Sequence, residues 1–187
     1  MIVAVREVRK IGDPVLRESA AAVDIAAIAT ADFARLVDDM VETMHAEGGI
    51  GIAAPQIGES VRVAVIAIDP ASSRYPGMTG FPLTLFINPR ISVVDPTEQG
   101  FWEGCLSVPN LRGYVFRPRG IRVEFLDGHG RARSLHAEGF LATVLQHELD
   151  HLDGVLFVDR VRDTTKLTTI ENYARYWAST ASAPTDI

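Results

Sequence analysis

The segment His147-Glu148-Leu149-Asp150-His151 has the His-Glu-x-x-His pattern that is typical of a metal-binding helix. On a helix, residues four apart lie one above the other, so His147 and His151 can bind one ion from the same face. Glu148 lies on the flank of that face, close enough to act on a water molecule at the metal. The segment therefore predicts a helix that carries a metal site.

Apolar residues around this segment predict a helix over residues 138–152. One stripe at helical spacing is expected to face the core, and it consists of Leu141, Leu145, Leu149 and Leu152. A second stripe consists of Phe140, Val144, His147 and His151, so Phe140 and Val144 are expected to wall the metal site. The alternative, an exposed helix with two chance histidines, would normally show a polar face, and two buried imidazoles without a partner would be costly to desolvate.

The residues alone leave the third metal ligand open. Catalytic zinc sites keep three protein ligands and leave the fourth position for water. Glu171 follows His151 at a spacing near that of many zinc peptidases, whereas Cys105 lies upstream between Gly104 and Leu106. A zinc peptidase would use Glu171. A binding module with a structural metal is a further alternative, although such sites usually have four protein ligands.

The remaining helical patterns are consistent with one α+β domain over residues 1–187. Apolar residues at helical spacing predict a helix over 31–46, which Thr30 can cap and Gly48-Gly49 ends. A Thr168-x-x-Glu171 capping box predicts the start of a C-terminal helix.

Strands are predicted where β-branched residues cluster, over 61–69 and 84–91. The sequence Gly128-His129-Gly130 predicts a hairpin that joins 121–127 to 131–136. The expectations for the other segments are a short strand and then irregular chain over 1–29, a surface loop over 70–82, and a frayed tail from Ser179.

Composition and charge argue against several classes of protein. The chain has 187 residues, of which 47% are hydrophobic, and a formal net charge of -6. An acidic chain without long basic runs is not expected to bind nucleic acid directly. No stretch approaches the roughly 20 apolar residues of a membrane span, and the single cysteine cannot form an internal disulfide. We expect a monomer in a reducing cytoplasm, without membrane attachment.

Three segments together resemble the peptide deformylase family. They are the glycine-rich segment 49–56 (GIGIAAPQ), the cysteine segment 103–107 (EGCLS) and the helix segment 146–154 (QHELDHLDG), in the family's order. The resemblance runs from about Ile11 to Val161. It implies an α+β fold with small antiparallel and mixed β-sheets around a central metal-binding helix, and a C-terminal helix. It also implies a metal-dependent hydrolase that removes the formyl group from the N-terminal methionine of peptides emerging from the ribosome.

The resemblance further implies how the metal is held and used. Its ligands would be Cys105, His147 and His151, and Glu148 would be the catalytic acid/base. The native metal would be ferrous iron (Fe2+), and zinc, nickel or cobalt (Zn2+, Ni2+ or Co2+) would be able to occupy the same site.

Substrate contacts are implied in the same way. The formyl oxygen would accept hydrogen bonds from the Gln56 side-chain amide and the Leu106 backbone N–H. Gly49 and Gly51 would let a substrate peptide pair with the backbone. Arg112 matches a position that meets the substrate backbone or its carboxylate end.

The methionine side chain requires an apolar pocket. The resemblance assigns its lining to Ile50, Phe101, Phe140 and Val144. Helical phase independently places Phe140 and Val144 beside the histidines, whereas Ile50 and Phe101 depend on the resemblance.

Overall fold

The computed structural model describes residues 4–70 and 80–178, and within them it contains one six-stranded sheet and three α-helices. The strands are β1 (Gly51–Ala53), β2 (Val63–Ile68), β3 (Phe81–Cys105), β4 (Val108–Leu126), β5 (Ala132–Glu138) and β6 (Leu167–Thr169). The helices are α1 (Ala31–Ala46), α2 (Gly139–Asp150) and α3 (Ile170–Tyr176). Neighbouring strands are antiparallel in the order β1-β2-β3-β4-β5, and β6 pairs with β4. This is the expected α+β fold.

Strand β2 is buried on both faces because a helix covers each of them. Ala64 and Ile66 belong to the same apolar cluster as residues of α2. Val63 and Val65 alternate with them and belong to the cluster that contains residues of α1. Since successive side chains of a strand point to opposite faces, α1 and α2 pack on opposite sides of the sheet.

Strands β3 and β4 form a long bent hairpin that brings the cysteine segment to α2. Its pairing register shifts at several bulges, the last of them between Glu103 and Cys105. Bulges bend a strand pair and re-aim its side chains. The hairpin closes at Leu106-Ser107, where Cys105 pairs with Val108. The turn of this hairpin therefore carries the cysteine.

Helix α1 and the short hairpin confirm the local predictions. Helix α1 spans residues 31–46, and the Thr30 side chain accepts a hydrogen bond of 3.2 Å from the Phe33 N–H. The loop between β4 and β5 is held by the Asp127 carboxylate, which accepts from the backbone N–H groups of His129 and Arg131. His129 is exposed at the tip.

Helix α2 differs from the prediction in its length and in its burial. It ends at Asp150, and residues 151–153 form a 3₁₀ turn that Gly154 ends with a φ of 71°. The leucine stripe packs into the core as expected, and Phe140 and Val144 line a cleft with His147, but the helix has no exposed face between residues 142 and 149, because every residue there is buried. The sheet lies on one side of the helix and the cysteine segment on the other, so its polar residues are enclosed too.

The expected strand near the N-terminus is also wrong for the residues described. Residues 4–29 contain two 3₁₀ turns, Pro14–Arg17 and Ile25–Ala29, and no named strand. The segment is held by separate backbone hydrogen bonds to Gln56 and Ser107 rather than by a ladder. Conversely, β1, β6 and most of β3 and β4 were not predicted.

The C-terminal helix exists but begins differently from the prediction. The Thr169 side chain, not that of Thr168, accepts from the Asn172 N–H at 3.2 Å. Thr168 instead belongs to β6, where it pairs with Arg112.

Three expectations fall partly or wholly outside the described residues. They concern residues 1–3 of the N-terminal strand, residues 71–79 of the surface loop, and the tail from Ser179. Within the described part of the chain, no helix is both long and apolar enough to cross a membrane.

Candidate metal centre and active site

Cys105, His147 and His151 meet between the turn of the β3–β4 hairpin and the end of α2. Their potential ligand atoms all lie within 4.8 Å of one another. The Cys105 Sγ and the His151 Nε2 are 3.2 Å apart. One thiol and two imidazoles are a donor set that divalent transition metals accept. The three residues therefore fit one metal ion.

Glu171 has no part in this cluster. It lies in α3, its side chain is exposed, and it is absent from the group of ligand atoms found among the described residues. The alternative of a zinc peptidase with Glu171 as third ligand is therefore not supported. The cluster also has three protein ligands rather than the four that are usual for structural sites.

His147 is oriented by a buried carboxylate. Its Nδ1 lies 2.7 Å from the Oε2 of Glu103, which leaves Nε2 for the ligand cluster. Arg117 donates two hydrogen bonds to Glu103, of 2.6 and 2.9 Å, and a third of 2.8 Å to Asp150. Carboxylate partners of this kind fix the ring and raise its basicity as a ligand. Glu103 and Arg117 therefore support the metal centre.

The sequence interpretation missed these supporting residues. Glu103 belongs to the cysteine segment, but the pattern of that segment predicts no role of its own for it. Glu103 and Cys105 are two residues apart, and on a strand such residues point to the same face. This spacing could have identified Glu103 as a neighbour of the site. Arg117 lies on the neighbouring strand and is nearly fully buried, and no local pattern signals its pairing.

Electrostatics at the cluster favour a thiolate. Burial raises the pKa of Cys105, but the positive charge of His151 and hydrogen bonds from both histidines hold it well below its usual range. Burial lowers the pKa of His147, but its bonds to Cys105 and Glu103 raise it well above the usual value. Burial also raises the pKa of Glu103, yet Arg117 and His147 lower it to about 2. Glu103 is therefore ionised, and the thiolate is the form of Cys105 that binds metals.

Glu148 is buried beside the ligands without joining them. Its Oε2 has no hydrogen-bond partner among the described residues. Burial raises the pKa of Glu148, opposed by the charges of the two histidines. A Cβ at Gly51 would lie 2.6 Å from the Glu148 Oε1, so only glycine leaves room for this carboxylate. A buried carboxylate with one unpartnered oxygen beside a potential metal cluster is a good candidate for proton transfer.

Gln56 is held with its amide NH2 towards the cysteine. Its Oε1 accepts from the Ala53 N–H at 2.8 Å. Its Nε2 donates to the Ser107 Oγ at 3.2 Å and lies 3.5 Å from the Cys105 Sγ. Fixing the carbonyl end in this way leaves the donor end of the side chain at the metal cluster.

Two adjoining clefts reach the cluster, and between them they contain every predicted substrate contact. The first cleft is lined by the glycine-rich segment, Gln56, the cysteine segment, His147 and Glu148, and it includes Gly49, Ile50, Gly51 and Leu106. The second is more apolar and includes Ile50, Phe101, Arg112, Phe140 and Val144. The structure thus brings together residues that lie far apart in the chain.

Arg112 reaches the second cleft across a glycine. A Cβ at Gly104 would overlap the Arg112 guanidinium, so the glycine allows the arginine to cross strand β3. Phe101 and Phe140 line the same cleft and contact each other, with ring centroids 5.8 Å apart. The second cleft therefore combines an apolar wall with one cationic side chain.

A His-Glu-x-x-His helix, a Cys-His-His cluster that fits a metal ion and a buried carboxylate beside it, in an α+β fold, define a metal-dependent hydrolase. The family model described as polypeptide deformylase matches residues 5–167. The chain belongs to this family, whose members remove the N-formyl group from the N-terminal methionine of nascent polypeptides. It is therefore a deformylase that acts on a linear amide bond, and the family and the ligand cluster together imply a bound metal ion.

Curated relatives and solved structures agree with this assignment. The chain is 47% identical over 161 residues to a peptide deformylase of Leptospira biflexa, which covers 86% of this chain and 90% of the relative. It is 41% identical to peptide deformylase 2 of Pseudomonas syringae, with coverages of 87% and 90%.

Among the solved structures, the class I type b peptide deformylase of Acinetobacter baumannii bound to Met-Ala-Ser matches with a TM-score of 0.82. It is 37% identical and covers 86% of this chain and 100% of that one. A Synechococcus elongatus peptide deformylase in complex with actinonin matches with a TM-score of 0.75 and 34% identity, covering 88% of this chain and 89% of that one.

Proposed function

We propose that Cys105, His147 and His151 hold one divalent metal ion, natively ferrous iron, at which formyl-methionyl peptides are hydrolysed. The observation that carries this proposal is the cluster of three ligand atoms within 4.8 Å, with the Glu148 carboxylate buried beside it. One thiolate with two imidazoles is a borderline-soft set, so zinc, nickel and cobalt can replace iron.

When bound, the metal lowers the pKa of a water molecule and polarises the formyl oxygen. Glu148 takes the proton of the attacking water, because its carboxylate is buried beside the ligands and its Oε2 has no hydrogen-bond partner among the described residues. It then hands that proton to the leaving amine. The same carboxylate therefore acts first as a base and then as an acid.

Negative charge grows on the formyl oxygen during the attack and requires prepositioned donors. Gln56 meets this need through its Nε2, whose position is fixed by the bond from Ala53 to its Oε1. The Leu106 backbone N–H is the second donor, since Leu106 lines the same cleft in the turn after Cys105.

Substrate recognition follows from the two clefts. The methionine side chain enters the apolar cleft, where Ile50, Phe101, Phe140 and Val144 enclose it. Peptide backbone pairs along the glycine-rich segment at Gly49 and Gly51.

Beyond the methionine, Arg112 meets the downstream backbone or the substrate's carboxylate end. Its guanidinium lies over Gly104, at the edge of the apolar cleft.

We further propose that residues 1–187 form one catalytic domain, active as a monomer in the cytoplasm on peptides that emerge from the ribosome. The continuous sheet supports one domain, because it joins the glycine-rich segment, the cysteine segment and the face that receives α2. A thiolate ligand suits a reducing compartment. The net charge of -6 supports the absence of direct nucleic-acid binding and gives no reason to expect membrane attachment.

The test is formyl-Met-Ala-Ser hydrolysis together with metal analysis of wild type, Cys105→Ala and Glu171→Ala, all purified without oxygen. We expect Cys105→Ala alone to lose metal and activity. Loss of metal from Glu171→Ala, with Cys105→Ala still loaded and active, would overturn the ligand assignment. Iron in the anaerobic wild type supports the native metal, and zinc alone would contradict it.

A further inference from the structure

Three successive N-terminal residues contact the two segments that carry the proposed oxyanion donors. The Arg9 N–H donates to the Gln56 carbonyl oxygen at 2.7 Å. The Lys10 Nζ donates to the Leu106 carbonyl oxygen at 3.0 Å. The Ile11 N–H donates to the Ser107 carbonyl oxygen at 2.7 Å. Residues 9–11 thus bridge the Gln56 segment and the hairpin turn from outside.

The same segment continues to the end of the metal-binding helix. The Ala20 N–H donates to the Leu152 carbonyl oxygen at 2.9 Å. Gly154 lies so close to the backbone of Arg17 that a Cβ there would be 2.7 Å from the Arg17 carbonyl carbon. Residues 9–20, here called the N-terminal strap, therefore contact all three segments that form the active site.

The relative position of the two donors depends on contacts between segments, because the donors come from separate parts of the chain. Gln56 lies in the 3₁₀ turn after β1, and Leu106 lies in the turn between β3 and β4. Inside the site, the Gln56 side chain joins these segments through its hydrogen bonds to Ser107 and Cys105. Donors stabilise a developing oxyanion only when both are aimed at the position it will occupy.

We propose that the N-terminal strap sets the relative position of the two oxyanion donors, and that Lys10 is a positioning residue of the reaction. This inference rests on the proposed function, since it takes Gln56 and Leu106 as the donors. Lys10 is not among the described residues that line either cleft, and its side chain acts through the peptide that follows Leu106.

A purely structural role makes a different prediction from a positioning role. Lys10 is exposed, and a single exposed hydrogen bond contributes little to stability. Misplaced donors, by contrast, weaken the stabilisation of the charge that develops on the oxygen in the transition state. They therefore lower kcat while leaving KM and metal binding unchanged.

The experiment compares Lys10→Met with Lys10→Arg and Lys166→Met in nickel-loaded enzyme. The chain has two lysines, so Lys166→Met controls for the loss of one ammonium group, here at a side chain that lies over the Tyr114 ring. For Lys10→Met we expect kcat on formyl-Met-Ala-Ser to fall roughly three- to tenfold, with KM, nickel content and Tm unchanged. Lys10→Arg should recover at least half of the activity, and Lys166→Met should match wild type.

Each other result overturns the inference. Wild-type kcat in Lys10→Met removes the positioning role, and loss of nickel or a lower Tm makes the role structural. Gln56→Ala separates this failure from that of the proposed function, because it should lose about 10² to 10³-fold in kcat. If Gln56→Ala is fully active, the donor assignment and the inference fall together. If it is impaired while Lys10→Met is not, the inference alone fails.

Discussion

Helices α1 and α2 pack on opposite faces of one sheet, yet they are buried in different ways. Helix α1 is amphipathic: Met40 and Met44 are fully buried, whereas Asp38 and Glu42 are exposed. Helix α2 is enclosed from residue 142 to residue 149, including its histidine and glutamate. The first helix is held by an apolar stripe, and the second is held by contacts on all sides.

Because they are buried differently, helix α1 is expected to contribute mainly to stability and helix α2 mainly to the chemistry of the site. Apolar burial stabilises α1 directly. Buried polar groups of α2 cost stability unless each has a partner. The Gln146 Nε2 donates to the carbonyl oxygens of Pro118 and Ala142, and the His147 Nδ1 pairs with the Glu103 carboxylate. Glu148 keeps one oxygen without a partner. Substitutions in α1 should therefore change stability, and those at the polar positions of α2 should change function.

The largest expected effect is at Glu148. Glu148→Gln keeps the shape of the side chain but removes the proton acceptor, so kcat should fall about 10² to 10⁴-fold. Metal content and unfolding free energy should stay close to wild type. Formyl-Met-Ala-Ser kinetics with metal analysis measure both, and Glu138→Gln, exposed just before α2, is the control. Activity within a few-fold of wild type, with metal bound, would remove Glu148 from the mechanism and show that this polar position of α2 does not serve the chemistry.

Met40 in α1 should behave in the opposite way. Met40→Ala removes a side chain that is 0% exposed and leaves a cavity, which should cost about 2 to 5 kcal/mol of unfolding free energy. The kcat per folded, nickel-loaded molecule should be unchanged. Urea denaturation of the variant and of the exposed control Glu42→Ala gives the difference. A large loss of kcat without a loss of stability would show that α1 also takes part in the chemistry.

Substitution of Glu103 tests whether metal binding by α2 depends on side chains from the sheet. Glu103→Gln weakens the bond to His147 and leaves the Arg117 charge less compensated, so metal affinity should fall about 10- to 100-fold. Glu98→Gln is a matched control, because Glu98 lies on the same strand and pairs with an exposed arginine, Arg162. Competition with a metal chelator measures the affinity. Equal affinities in the two variants would contradict the supporting role of Glu103.

The same contrast explains how much the sequence could predict. Helix α1 was predicted to the residue because its signals are local: an apolar stripe and a capping threonine, Thr30. Helix α2 was placed correctly, and its phase put Phe140 and Val144 on the side of the metal site, where they line a cleft with His147. Its burial on all sides was not predicted, because the surrounding strands come from distant parts of the chain.

The other differences between the sequence predictions and the structure arise from pairing between distant segments of the chain. Strand β1 has three residues and begins with Gly51, which has low β propensity. Strands β3 and β4 contain glycines, prolines and register shifts that interrupt alternation. The buried partner of Glu103, Arg117, is visible only once β3 pairs with β4. For Gln56, Leu106, Ile50 and Phe101 the signal was the family resemblance, since no residue pattern alone identified them.

The smallest expected effect concerns how the two helices begin. The Thr30 side chain caps α1, whereas Glu138, in the corresponding position of α2, makes no side-chain capping bond. A helix on the surface needs its first N–H groups satisfied, so Thr30→Ala should cost about 1 kcal/mol of unfolding free energy. Glu138→Ala should change stability by less than about 0.5 kcal/mol, as exposed substitutions usually do. Denaturant titration of both variants, equally loaded with nickel, measures the difference. Equal costs at the two positions would mean that α2, despite being enclosed on all sides, depends on its first turn as much as α1 does.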